Sequence, residues 1–323
     1  MKLLGVSLYP QGLSYTEAAG LGALAEGQGF DGVFAVEGGL NNDVMATVQA
    51  IAAATSRITV GTGIANLYLR HPALLGAAAV AIDELSGGRL ILGIGVNNAR
   101  AVRALGIEWR RPSEALRDTT AWLRRVFAGE APEGIRAALR TAQHPIPIHL
   151  AGIAVETADL AGEIADGLML YLASRTHFQH LVGRTAKAAA RAGRQPQEIL
   201  VSLLIPTFLS EELGAARQAA RRFLTLYAAM PHYARMFRRS GFEEEAEEMT
   251  KAVDRGDTGA VSAAVSDRLL DAVCLVGPLS RCREQLAAFR EAGLTYPILA
   301  PQAMQNEQPG DAARRFLTTF RTG

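Results

Sequence analysis

Glu37, which closes the apolar run "FDGVFAVEGG", is a carboxylate placed where a buried segment reaches its end. There it can accept hydrogen bonds from a ring N–H or a sugar hydroxyl, or carry a proton if its surroundings are dry enough to raise its pKa. The alternative is a solvated loop carboxylate, or a partner for the next helix. Further on, "VGTGIANLYLRHP" passes from Gly61-Thr62-Gly63 through Ile64-Ala65-Asn66 to Arg70 and His71, immediately before Pro72. Two glycines and two basic side chains thus gather where an apolar run gives way to a helix. A third candidate is Ala151-Gly152-Ile153, ahead of helical sequence from Ala154 through Glu163. Free N–H groups at a helix start, with no side chain at Gly152 to block approach, can hold a phosphate oxygen; a tight turn would use the same residues.

These residues need a scaffold, and the chain alternates short apolar runs with longer amphipathic ones. Strands are expected at Leu3–Leu8, Gly32–Val36, Ile58–Thr62, Leu90–Ile94, Ile146–Leu150, Leu168–Tyr171, Ile199–Pro206 and Tyr296–Ala300, with helical sequence between them. Runs apolar along their whole length imply burial on both faces, as in a parallel sheet covered by helices. Eight such units, counted from that series, fit a (β/α)8 TIM barrel better than an open sheet. Ser210 to Asp271 breaks the rhythm with helical, charge-patterned sequence, read as an insertion (about 210–271) between strands seven and eight. A place over the C-terminal ends of the strands makes it a candidate lid or oligomer surface. No repeat or linker divides residues 1–323, so one domain is expected. In such a barrel the reactive groups sit at strand C-terminal ends, which selects Glu37, Gly63-Ile64-Ala65-Asn66, Gly95-Val96-Asn97-Asn98 and Ala151-Gly152-Ile153. Gly and Asn also favour turns for backbone reasons alone.

Composition narrows the function. Lys and Arg total 33 against 32 Asp and Glu, interspersed apart from Arg235, Arg238 and Arg239, which argues against a nucleic-acid or acidic-membrane partner. Cys274 and Cys282 are too few for a disulfide framework or a zinc site, and a reducing compartment fits. No uncharged stretch reaches the ~18 residues a bilayer needs, so a cytoplasmic protein is expected. "GIGVNN" lacks the third glycine of a dinucleotide fingerprint, and neither a phosphate loop nor a Gly-x-Ser-x-Gly elbow occurs. His177 and His180 share a helical face without a carboxylate pattern, so no metal site is expected; His149, inside an apolar strand, reads as a satisfied core residue.

"RITVGTGIANLYLRHPALLGAAAVAIDELSGGRLILGIGV" closely resembles the luciferase-like flavin and deazaflavin oxidoreductases, and most of all the branch of coenzyme F420-dependent methylenetetrahydromethanopterin reductase. "PIPIHLAGIAVETADLAGEIADGLML" and "LVGPLSRCREQLAAFREAGLTYPILAP" extend the likeness over most of the chain. The resemblance implies a non-prolyl cis peptide at Gly63–Ile64 backing the cofactor ring. It also implies Glu37 near that ring, Asn66 near its pyrimidine edge or the pocket wall, Gly95, Asn97 and Asn98 beside its side chain, and Ala151, Gly152 and Ile153 at its phosphate. Arg70 and His71 would stand at the mouth and meet an acidic cofactor tail or substrate, or else solvate the loop and cap the barrel rim. Two departures matter: Gly38 stands where some relatives carry a catalytic histidine, and Asn97-Asn98 replace a glycine with small or acidic neighbours.

The expected activity is F420-dependent hydride transfer to or from a small-molecule organic substrate, with Glu37 tuning or protonating. An FMN-dependent monooxygenase fed by a separate flavin reductase is the alternative on the same barrel. A non-catalytic ligand-binding barrel is the alternative from a different class. The family habit suggests a homodimer.

Overall fold

Ten strands form among the described residues: β1 (Gly5–Leu8), β2 (Gly32–Ala35), β3 (Thr59–Thr62), β4 (Ala65–Asn66), β5 (Leu90–Gly95), β6 (Ile148–Ala151), β7 (Gly167–Tyr171), β8 (Leu200–Leu209), β9 (Leu275–Gly277) and β10 (Tyr296–Pro301). The structure, a computed structural model, describes residues 3–9, 12–37, 42–96, 99–131, 140–228 and 230–320. Every pairing is parallel, in the order β10-β1-β2-β3-β5-β6-β7-β8, and β8 pairs back to β10 with Ile298 opposite Leu204. The ring is therefore closed, a TIM barrel with the expected eight main strands.

Two further strands lie off the ring. β4 leaves the line of β3 and pairs β5, with Asn66 opposite Gly95. β9 lies against the far end of β8, with Thr207 opposite Leu275. The sequence reading missed both, because two or three residues carry no period to read. Its strand ends otherwise shift by a few residues; the largest difference is β8, which runs to Leu209 instead of stopping at Pro206.

Alternation along each strand sorts two layers. Val6, Leu8, Val60, Leu92, Ile148 and Leu150 face outward onto the helices. Phe34, Met169, Leu204, Tyr296 and Ile298 fill the barrel interior. The glycines of the sequence motifs make room inside. A Cβ on Gly61 would stand 2.7 Å from the Phe34 ring and 2.8 Å from the Ile91 carbonyl, and one on Gly93 only 2.2 Å from the Thr62 carbonyl.

The "DELSGGR" run is a joint rather than a binding loop. Gly87 ends the helix Pro72–Ser86 in the left-handed conformation (φ 64°). Arg89 then donates to the carbonyls of Ala52 (3.1 Å), Thr55 (2.9 Å), Ile58 (2.7 Å) and Ser86 (2.7 Å). One guanidinium thereby satisfies carbonyls at the end of the helix Val44–Ala54 and fixes the entry to β3.

Between β8 and β9 the described residues fold into five helices, Leu213–Ala228, Pro231–Arg239, Glu243–Asp254, Thr258–Ala264 and Asp267–Val273. They close over their own core, in which Leu224, Phe237, Met249 and Leu270 meet Phe208 and Val276 of the strands. Among the described residues no helix is long and apolar enough to cross a membrane.

His149 is a core residue, as its strand position suggested, but it is not satisfied: its Nδ1 has no partner among the described residues. Burial, opposed only in part by Asp166, pulls its pKa down to about 4. The unfolded chain, titrating near 6.5, binds the extra proton between those two values, so this contribution to stability is complete above about pH 6.5 and is lost as pH falls toward 4. Urea denaturation should therefore show wild-type stability dropping by about 2 kcal/mol from pH 7 to pH 5 through this group. His149→Gln should flatten that slope; an unchanged slope in the variant would remove His149 as its source.

Candidate active site

Glu37 lies two residues beyond the end of β2 and is buried at the C-terminal end of the barrel. Both of its oxygens accept from Arg70 Nη1 at 2.8 Å, and Oε2 also accepts from the Asn66 amide at 2.7 Å. Its own amide donates to the Ile64 carbonyl at 3.3 Å. Residue 37 therefore grips Ile64 and Asn66 at once, bracketing the segment that begins at the cis peptide Gly63–Ile64. Arg70 continues outward, its Nη2 2.9 Å from Asp43 Oδ1. Asp43 caps the helix Val44–Ala54 by accepting from the amides of Met45 and Ala46. Burial disfavours the Arg70 charge, but hydrogen bonding and attraction from Glu37 and Asp43 outweigh it and raise its pKa.

The carboxylate is thus a charge-compensated strut, not a group free to meet a ligand with both oxygens. His71 belongs to the same joint: its Nδ1 accepts from the Ala73 amide at 3.2 Å, capping the helix Pro72–Ser86, and its ring stands edge-on to Trp122. Of the two roles open to Arg70 and His71, the geometry supplies the internal one, pairing and capping at the rim. Asn66 is buried, its Oδ1 accepting from the Tyr68 amide.

Next to the strut lies an apolar wall. Val36, Ile64, Ala151 and Tyr171, each partly exposed, pack on the interior cluster at the mouth of the barrel. Gly95 lies between two of them: a Cβ there would stand 3.2 Å from Ile64 and 3.4 Å from Ala151. The helix Val155–Ile164 begins just beyond, with Ala154 as its N-cap and no side-chain cap. The amides of Val155, Glu156 and Thr157 accordingly have no acceptor among the described residues. Gly152 covers that terminus without a side chain; a Cβ would press on Thr157 Oγ1 at 2.9 Å, and its own amide is taken by the Met169 carbonyl. Ile153 is fixed by His177, whose Nε2 lies 2.8 Å from its carbonyl. A flat apolar wall beside an open helix N-terminus fits a planar ring carrying a phosphate.

Gly63, Ile64, Asn66, Gly95, Ala151, Gly152 and Ile153 therefore do gather at one end of the barrel, with Glu37, Arg70 and His71 behind them. Asn97, Asn98 and Gly38 lie outside the described residues. Sequence reasoning missed a group of phenols at the same end. Tyr171 ends β7, and its hydroxyl lies 2.9 Å from that of Tyr227 on the helix Leu213–Ala228. Tyr233 stands edge-on to Tyr227 with ring centroids 5.0 Å apart. Only Tyr171 carried a sequence signal, as the last residue of an expected strand.

A family model described as luciferase-like monooxygenase matches residues 3–296. The chain belongs to that family. Among its curated relatives, the 5,10-methylenetetrahydromethanopterin reductase of Methanolobus tindarius is 29% identical over 88% of this chain and 90% of its own length. A putative coenzyme F420-dependent oxidoreductase of Mycobacterium tuberculosis is 29% identical over 91% of this chain and 93% of its own. Among solved structures, the coenzyme F420-dependent tetrahydromethanopterin reductase from Methanopyrus kandleri superposes with a TM-score of 0.81 over 98% of this chain and 97% of its own, at 22% identity. The FMN complex of the oxygenating constituent of 3,6-diketocamphane monooxygenase from Pseudomonas putida shares this luciferase-like fold, with a TM-score of 0.68 over 99% of this chain and 96% of its own at 17% identity.

Removing Arg70 would leave the buried Glu37 carboxylate without its charge partner. Arg70→Ala should therefore cost about 3 kcal/mol in urea denaturation, and the double variant with Glu37→Gln should recover part of it. A single-variant loss below about 1 kcal/mol, the range of a solvent-screened surface pair, would show that something else holds this loop.

Proposed function

We propose that the chain is a coenzyme F420-dependent oxidoreductase, moving hydride to or from a carbon–carbon or carbon–nitrogen double bond of a small organic substrate. The observation that carries this reading is similarity along nearly the whole chain to a reductase of 5,10-methylenetetrahydromethanopterin and to a putative F420-dependent oxidoreductase. The residues fit the cofactor. Val36, Ile64 and Ala151 offer an apolar face for the ring system, and the uncapped amides of Val155, Glu156 and Thr157 offer donors for a phosphate.

When bound, the deazaflavin supplies the hydride chemistry at C5 of its ring. The chain's own work is orientation and exclusion of water. Glu37, tied to Arg70, keeps the Ile64–Asn66 segment in place behind the ring. Tyr171, at the end of that wall, with Tyr227 and Tyr233 covers part of the mouth and keeps it dry. Glu37 acts here as a positioning residue, since its oxygens are occupied by Arg70 and the Asn66 amide.

The family's description as luciferase-like monooxygenase supports a second reading, in which reduced FMN from a separate flavin reductase activates oxygen in the same cleft. Titration of the purified protein with F420 and, in parallel, with FMN, each oxidised and reduced, separates the two. Micromolar binding of F420 with weak FMN binding is the expected result. Preference for reduced FMN, with substrate-coupled oxygen consumption, would replace hydride transfer by oxygenation. Gly152→Val, which crowds Thr157 at the helix start, should weaken F420 binding by about tenfold or more, equivalent to about 1.4 kcal/mol. Unchanged affinity would move the phosphate elsewhere.

A further inference from the structure

Two phenol hydroxyls in contact hold two protons, and one hydrogen bond uses only one of them. Tyr171 and Tyr227 form such a pair, with oxygens 2.9 Å apart. Neither hydroxyl has another partner among the described residues. One O–H is therefore left to be donated, at a point where the barrel interior and the helical segment meet: Tyr171 packs on both cores.

The surroundings keep that proton in place. Burial, reinforced by Tyr227 and Tyr233, pushes the Tyr171 phenol well above its ordinary range, and burial with Tyr9 does the same to Tyr227. Both phenols are consequently neutral donors throughout the physiological range.

The rings around the pair continue to a cleft. Phe223 packs on Tyr227 with the rings tilted and their centroids 5.0 Å apart, and it lines a cleft of about 410 Å³ together with Phe208, Gln302 and Met304. The single charged side chain lining that cleft among the described residues is Arg222. Elsewhere in the barrel, Ser7 of β1 faces the interior, by alternation from Gly5, whose Cβ would touch Ile298, Phe34 and Tyr296. Its hydroxyl is buried and has no partner among the described residues. An unspent donor among aromatic rings selects a neutral, ring-bearing ligand with one strong acceptor atom.

We propose that Tyr171 and Tyr227 form the substrate anchor of this site, donating their spare O–H to the carbonyl oxygen of a neutral cyclic α,β-unsaturated carbonyl compound. This deepens the hydride-transfer reading and rests on it for the identity of the double bond. A hydrogen bond to the carbonyl draws electron density from the conjugated carbon–carbon bond and makes it a better hydride acceptor. The aromatic rings of Phe223 and Tyr233 would hold the ring of the substrate.

The test uses the purified full chain and 2-cyclohexen-1-one carrying 13C at the carbonyl, followed by NMR with and without added F420. The carbonyl resonance of the bound ketone should move downfield. Only one of the two hydroxyls can donate the spare proton, so one of Tyr227→Phe and Tyr171→Phe, which keep the rings, should lose most of that shift and weaken binding about three- to tenfold, the value of one hydrogen bond, and the other should lose less. Circular dichroism confirms that the variants remain folded. A wild-type shift retained in both variants, or no bound signal while saturated cyclohexanecarboxylate binds, would overturn the anchor. The cofactor reading fails separately: a tyrosine-dependent carbonyl shift in a protein that binds no F420 supports the anchor and discards F420, whereas F420 binding without the shift discards only the anchor.

Discussion

A single buried carboxylate organises the mouth of this barrel. Glu37 has two oxygens and one amide, and all three are spent on a segment about thirty residues away in sequence: Ile64, Asn66 and Arg70. A carboxylate taken out of water must be paired or hydrogen-bonded, and here the pairing is with the loop that carries the cis peptide. Arg70 passes the constraint on to Asp43, which is itself fixed as a helix cap. Strand, loop and helix at this corner are consequently one unit, and the apolar wall of Ile64 depends on it.

The barrel was legible because its signals are local. Apolar runs such as "VFAV" and "LILGIG" announce strands buried on both faces, and Pro72 and Gly87 punctuate the helix between β3 and β5. Much of the site was legible for the same reason, since strand C-terminal ends can be located once strands are. What could not be read was who holds whom. Nothing near Glu37 in sequence foretells Arg70 as its partner, so a side chain that looked available for proton transfer is committed to a strut. His149 illustrates the same limit: its place in the core was evident, but its unpartnered Nδ1 depends on strands far along the chain.

Tyr227 was hidden for a different reason. It lies in a helical stretch whose periodicity reports only which side is buried, and its hydroxyl becomes meaningful only when the helix Leu213–Ala228 brings it against Tyr171. Motifs describe what the barrel shares with its family; the cover over the mouth is written in ordinary amphipathic sequence. The family model over residues 3–296 therefore fixes the family, while Tyr227 comes from a stretch of the chain that carries no motif.

β8 is ten residues long, against four to six for the other ring strands, and its last three residues pair with β9 rather than with β7. Phe208, on that overhang, belongs to the core of the helical segment, while Ile205 belongs to the barrel. The cover is thus riveted to the wall at one edge by a continuous hydrogen-bond ladder. It cannot swing away from that strand as a hinged door without tearing the ladder, so whatever moves there moves with β8.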